Sequence, residues 1–375
     1  MNLSFLKQER ATLEELMPGL DAALAKIPLM DMERRGNPSF ATYREFGGPG
    51  LLIPTRFGGR GASPLQAARA QRAIACRAPS LAVATTMHHF TIASLMEINP
   101  EDPGLEGETL EAVARGNLYI ASGFAEGKTG TSIQTSNLRV ERGPNGLVIN
   151  GSKKPCSLTH SMDLFTMSTP PLAGMDAGLA AVIILANTPG IERRAFWNSP
   201  ILAGAESDEV FLKDVVVPED AFFPLGGSGR SNAVQDRGFL WFELLITAVY
   251  VGIASALVER VLLARKGGAV ERVALVTELE GAMAALEGVA RGMDAGERSN
   301  SDLARMLLVR YAVQGAIDRA SSLAVELLGG MAFIGSPEVA YLLAATRPLA
   351  LHPPTRLSSC TRLDEYLTGL PLVLD

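Results

Sequence analysis

From Leu3 to about Leu118 apolar residues recur at spacings of three and four, in ATLEELMPGLDAALAKI, PLQAARAQRAIACRA and SLAVATTMHHFTIASLMEI. That period gathers them on one side of a helix. The intervening FGGPGLLIPTRFGGRGAS reads as a Gly/Pro loop, and its last residue with the next, Ser63-Pro64, form an N-cap followed by proline in the first helical position. From Tyr119 the period shortens to two, in LYIASGF, SIQTSNLRVER, GLVINGSKK, DLFTMST, AAVIILAN, GIERR and EVFLKDVVVP. Turns such as Gly143-Pro144-Asn145-Gly146 separate these runs, which predicts a small antiparallel β-domain. After Pro224 and the stretch GGSGRSN the helical period returns, near 237–265, 271–293, 301–328 and 336–346. Helices, then strands, then helices argue for an α+β protein rather than alternating βαβ units. The expected division is an N-terminal helical domain (1–118), a middle β-domain (119–230) and a C-terminal four-helix bundle (231–375).

Composition narrows the function more than the fold. Hydrophobic residues make up 47% of the 375 and charged residues 20%, which excludes a disordered or coiled-coil chain. The net charge of −6 and the lack of any basic block argue against a nucleic-acid partner. Cys76, Cys156 and Cys360 are unclustered, and His88, His89, His160 and His352 show no metal-ligand spacing, so no metal site is expected. The N-terminal run MNLSFLKQERATLEELM is charged and helical in pattern, unlike a signal peptide, and a cytoplasmic location is expected. Residues 238–258, GFLWFELLITAVYVGIASALV, carry one charge and are long enough to span a bilayer. Glu243 would cost a few kcal/mol in lipid and no second such run exists, so a buried bundle helix is the expected state. Neither a GxGxxG after a strand nor a P-loop is present, so any nucleotide cofactor binds in another way.

Five segments in order resemble the acyl-CoA dehydrogenase family of flavoproteins, over most of the chain. GLLIPTRFGGRGAS is similar to its G-L-x-x-P-x-x-x-G-G-x-G segment. LYIASGF with the following SIQT resembles its T-E-P-x-A-G-S-D loop and I-x-T, and LVINGSKKPCS its N-G-x-K turn. EVFLKDVVVPEDAFF is similar to F-x-D-V-x-V-P, and ELLGGMAFIGSPEVAYLLAATRPLALHPPT to the Q-x-L-G-G-x-G stretch, helix and active-site loop. The resemblance implies an FAD-dependent oxidoreductase that removes hydrogens from Cα and Cβ of an acyl group held as a thioester on CoA or an acyl carrier protein. It also implies a homo-oligomer, dimer or tetramer, because the family packs its C-terminal helices across subunits.

Residue by residue, the resemblance places Tyr119, Ala121 and Ser122 on the strand that meets the isoalloxazine ring, and Ser157 where a hydroxyl meets the flavin N5/O4 edge. A strand-end serine bonding its own backbone is the alternative. Gly329 and Gly330 would let the backbone approach the cofactor's diphosphate or adenosine end, or else simply cap a helix. Thr355 follows the position of the base, and Lys128 would meet a phosphate of the flavin or of a thioester carrier.

The family's Y-E-G-T loop reads Leu351-His352-Pro353-Pro354-Thr355, with Pro353 in place of the base. Where other members carry Glu on the first helix of the last domain, this chain has Phe242, with Glu243 in the adjoining Arg slot. Glu243, desolvated among apolar residues, is one candidate base; its alternative is a structural carboxylate paired with an arginine such as Arg347 or Arg356. His352 is the other candidate, and its loop resembles that of flavin monooxygenases sharing this fold, where a His assists oxygen chemistry. The aromatic before the flavin-contacting hydroxyl is Pro155, and the R-x-x-F-G loop that grips FAD across subunits is shortened to ARKGGAVER. A flavin monooxygenase and a cofactor-free scaffold are therefore the other two expectations.

Overall fold

The structure is a computed structural model and describes residues 3–98, 104–127, 135–175, 178–225 and 230–374, the side chains of 230–233 excepted. Lys128 lies outside the described residues. The chain opens with helices α1 (Lys7–Leu16), α2 (Leu20–Leu24), α3 (Leu29–Met32), α4 (Ser39–Glu45), α5 (Pro64–Arg77), α6 (Pro79–Ile98) and α7 (Leu105–Gly116). Strands follow: β1 (Ile120–Gly123), β2 (Arg139–Gly143), β3 (Gly146–Cys156), β4 (Leu164–Thr169), β5 (Leu179–Leu185), β6 (Ile191–Arg194), β7 (Asp208–Val217) and β8 (Phe222–Leu225). The last part holds α8 (Arg230–Leu263), α9 (Ala269–Asp294), α10 (Asn300–Leu328), α11 (Gly330–Gly335), α12 (Pro337–Ala345) and α13 (Arg356–Leu367).

The strands form two four-stranded sheets, ordered β1-β4-β5-β8 and β2-β3-β7-β6. The named strands pair antiparallel as expected apart from β1, which runs parallel to β4 with Ser122 opposite Thr166. The physical reason lies in the connection: between β1 and β4 the chain crosses to the second sheet, makes the β2–β3 hairpin there, and returns travelling in β1's direction. A return trip of that kind delivers a parallel neighbour without a crossover helix.

Ser63 caps α5 in a full capping box with Gln66, behind Pro64 at the first helical position. Helix α8 is the axis of the molecule, packed on α5 and α6 from the front of the chain and on α9 and α10 from the back. Its apolar run is wholly enclosed by protein, as expected of a bundle helix. Gly252 makes the α5 contact possible, because a Cβ there would stand 2.4 Å from the Arg72 carbonyl oxygen. Arg72 is itself fully buried and bound by Glu9 at 2.5 Å, Glu280 at 2.6 Å and Ser255 at 3.1 Å, so its charge is compensated inside the core.

Candidate active site

A cavity of about 210 Å³ opens where the ends of β1 and β3 meet α6, α8 and the loop before α13. One side is polar: Ser122 from β1, with Ser157 and Ser207 from the segments that follow β3 and precede β7. Ser157 and Ser207 share a hydrogen bond at 3.0 Å, while the buried Ser122 hydroxyl meets no partner among the described residues. The other side is aromatic. Phe90 of α6 stands 6.0 Å from Phe124, 6.1 Å from Phe239 and 5.8 Å from Phe242, ring centre to ring centre. These spacings are those of attractive edge-to-face and tilted pairs, so the four rings brace one another as a rigid wall.

His352 and Tyr250 close the remaining side, with Tyr250 Oη 2.9 Å from His352 Nε2. Burial, reinforced by the nearby Arg310 charge, pulls His352 down to about 3, so the ring is neutral at physiological pH. Burial also raises Tyr250 well above the ordinary phenol range, and it stays protonated. The His352 loop is tied down from behind. Arg310 of α10, fully buried, donates to the carbonyl oxygens of Leu349 at 2.8 Å and His352 at 2.7 Å, and to Glu243 Oε2 at 2.6 Å. Burial pushes Glu243 up to about 7, with Arg310 opposing.

Several expected residues meet here and others do not. Ser122, Ser157 and His352 line the cavity. Strand alternation turns Tyr119 and Ala121 the other way from Ser122, and the Tyr119 hydroxyl donates to the Phe40 carbonyl at 2.8 Å. Glu243 is not on the cavity; its neighbour Phe242 is. The pairing with an arginine holds, but the arginine is Arg310, while Arg347 pairs with Asp318. Gly329 stops α10 at a φ of 83°, with Gly330 opening α11, and neither borders the cavity. Thr355 caps α13, accepting from the Ser358 N–H at 3.1 Å. Phe239 and Tyr250 were signalled only by spacing, since on α8 positions eleven apart return to within about 20° of the same face, and Phe242 by lying one turn on from Phe239. Arg310 was signalled by its isolation in LLVRYAV, and Trp197, also on the cavity, by nothing periodic at all.

Among the described residues no Asp, Glu, Lys or Arg lines the cavity. What it offers is an unpartnered hydroxyl, a linked hydroxyl pair, a flat aromatic wall and a neutral imidazole. The three hydroxyls fit the polar edge of a flavin ring, the orphaned Ser122 Oγ in particular, since a buried hydroxyl without a partner costs about 1–3 kcal/mol.

No protein-family model matches the chain. It is 45% identical to the isobutylamine N-hydroxylase of Streptomyces viridifaciens over 98% of its own length and 99% of that protein's. It is 22% identical to the mitochondrial isovaleryl-CoA dehydrogenase of Oryza sativa subsp. japonica, over 76% of this chain and 72% of the other. Among solved structures, KijD3 in complex with FMN and dTDP-3-amino-2,3,6-trideoxy-4-keto-3-methyl-D-glucose superposes with a TM-score of 0.81 at 19% identity, covering 97% of this chain and 94% of that one. The FAD complex of PigA does so with a TM-score of 0.78 at 16% identity, covering 98% and 99%.

Proposed function

The chain belongs to the acyl-CoA dehydrogenase-like flavoproteins, and from that premise we propose that it is a flavin-dependent monooxygenase that hydroxylates the nitrogen of a small aliphatic amine. Dehydrogenation of an acyl thioester needs a carboxylate beside the α-carbon. Both places where the family resemblance would put one, Pro353 and Phe242, face the cavity with apolar side chains. Glu243, one position further on, is turned into its pair with Arg310. The observation that carries the proposal is this combination: a neutral imidazole on a cavity with no carboxylate among its described residues.

An amine must present a lone pair to be oxidised at nitrogen, yet in water an alkylamine, like a lysine, is protonated up to about pH 10. An apolar enclosure without a counter-ion disfavours the ammonium and favours the free base. Held by its hydrogen bond to the Tyr250 phenol, His352 presents a neutral ring beside the substrate. The phenyl wall takes the alkyl group. Bound reduced flavin supplies the two electrons that activate dioxygen, for a balance of amine, O₂ and reduced flavin giving hydroxylamine, water and oxidised flavin. The cavity would receive the ring, which FMN and FAD share; the FAD expected from the resemblance is thus widened to a flavin, and both forms belong in the assay.

The test is aerobic turnover with chemically or enzymatically reduced FMN or FAD and isobutylamine. Hydroxylamine should appear, with an apparent KM that falls about tenfold per pH unit between pH 7 and 9, as the free-base fraction rises. Valine, which adds a carboxylate with no cation among the described lining residues to receive it, should be refused. Failure to form any N-oxidised product, together with anaerobic flavin bleaching by an acyl-CoA, would restore the thioester dehydrogenase. Failure to bind either flavin would leave the scaffold.

A further inference from the structure

Strand β3 brings Pro155 to the cavity at the place where the family resemblance calls for an aromatic residue. On that same side the aromatic surface comes from the loop joining β6 to β7: Trp197 lines the cavity together with Pro155, Ser157 and Ser207. Nothing regular supports this loop, since residues 195–199 belong to neither helix nor strand and Asn198, Ser199 and Pro200 are exposed. Its backbone N–H groups are held by one side chain. Asp208, fully buried at the start of β7, accepts the backbone N–H groups of Phe196 at 2.8 Å and Trp197 at 3.0 Å. Arg35 donates to the same carboxylate, and His160 Nε2 lies 3.0 Å from it.

All three polar groups of Trp197 are thereby used. Its N–H goes to Asp208, its carbonyl accepts from Arg35 Nη2 at 3.1 Å, and its indole N–H donates to the Ile201 carbonyl at 2.9 Å. An indole fixed at every polar atom has only its flat apolar surface left to offer, next to the hydroxyl pair. Such a surface, ordered before any ligand arrives, suits a planar aromatic ring.

We propose that Trp197 is a stacking residue for the flavin ring, supplying the aromatic face that β3 lacks at Pro155, and that Asp208 is its positioning residue. The proposal rests on the flavin-dependent function given above. Its test uses the chain's own pair of tryptophans, Trp197 and Trp241. Trp241 is buried on a separate cleft beside Arg237 and Arg298. Oxidised flavin emits light, and an indole in contact quenches that emission by electron transfer.

Bound FMN or FAD should be dark in the wild type and in W241F, several-fold brighter in W197F, and held about tenfold more weakly by W197F and W197A. In D208N/W241F the Trp197 emission should shift to the red and flavin quenching should fall, with the far-ultraviolet dichroism unchanged. Equal affinity and equal flavin emission in W197F and W241F would overturn the stacking role, whether or not the alanine variant folds. An unshifted Trp197 emission in D208N/W241F would overturn the positioning role. A wild-type chain that binds neither flavin would overturn the flavin-dependent function and this proposal with it.

Discussion

Replacing Arg310 by methionine removes three interactions at once: the ion pair with Glu243 at 2.6 Å and the hydrogen bonds to the carbonyls of Leu349 at 2.8 Å and His352 at 2.7 Å. The cost should depend on pH in a definite direction. Glu243 has a folded-state value raised from 4.5 to about 7, so its contribution is fully present below about pH 4.5 and is lost as pH rises through 7. Without the guanidinium that opposes burial, the folded value climbs further, and R310M keeps losing stability above pH 7 where the wild type has levelled off. At pH 4.5, with Glu243 neutral in the folded state of both proteins, the variant should cost only the two carbonyl bonds, about 2 kcal/mol. At pH 9 the buried carboxylate has no cation and the cost should reach about 3–5 kcal/mol or more. Urea unfolding of both proteins at pH 5, 7 and 9 measures the divergence. A cost that stays constant across that range would refute the assignment of Glu243 as a carboxylate restrained by Arg310. The double variant E243M/R310M separates scaffold from site. Swapping a buried ion pair for apolar residues is often neutral or stabilising, so stability should largely return. Turnover should not, because the His352 loop still lacks its two anchors.

Three further outcomes follow from the same geometry. Phe90→Ala opens the end of the phenyl wall, and since each buried methylene is worth about 0.8 kcal/mol, kcat/KM for hexylamine over butylamine should rise by about tenfold; an unchanged chain-length optimum would remove Phe90 from the substrate wall. Tyr250→Phe keeps the ring and deletes one hydrogen bond to His352, so kcat should fall about tenfold with KM nearly constant, and an unaltered kcat would show that the phenol does not orient the imidazole. Glu33, buried against Ser80 and Tyr341 and pushed by burial to about 7, contributes stability below about pH 4.5 that is lost as pH rises through 7; Glu33→Gln should remove about 3 kcal/mol of that slope in urea titrations.

The elements of the fold were legible because their signals are local. The Ser63-Pro64 cap, the period of α8 and the Gly143–Gly146 hairpin turn each lie within a few residues, and each forms as the pattern indicates. What the sequence hid is long-range or angular. The parallel β1–β4 pairing depends on a detour through the other sheet. Arg310 lies 67 residues from the carboxylate it binds, with no periodic relation between the two. Phe242 and Glu243 differ by one helical step of about 100°, so hydropathy alone could not say which would face the cavity in a run where both are buried. Trp197 sits in a loop ordered by an aspartate eleven positions on and by an arginine from the far end of the chain, a dependence no window of sequence displays.

That single helical step carries much of the chemical consequence. Had the carboxylate stood at 242, the cavity would hold an anion beside the substrate: a base for an α-proton, and equally a counter-ion that would keep an amine protonated and unreactive. With Phe242 on the cavity and Glu243 paired with Arg310, the described lining offers neither a base nor a counter-ion, which is what the proposed N-hydroxylation requires. Burial keeps His352 neutral, and the Arg310 charge that Glu243 holds in place adds to that effect and fixes the His352 loop. Dehydrogenation and N-oxidation then make opposite demands on one wall of one fold, and a Phe242→Glu variant should show it. Such a chain should bind isobutylamine more tightly as the ammonium while hydroxylating it more slowly, with the pH dependence of KM flattened; faster hydroxylation at neutral pH would mean that nitrogen oxidation here never depended on the free base.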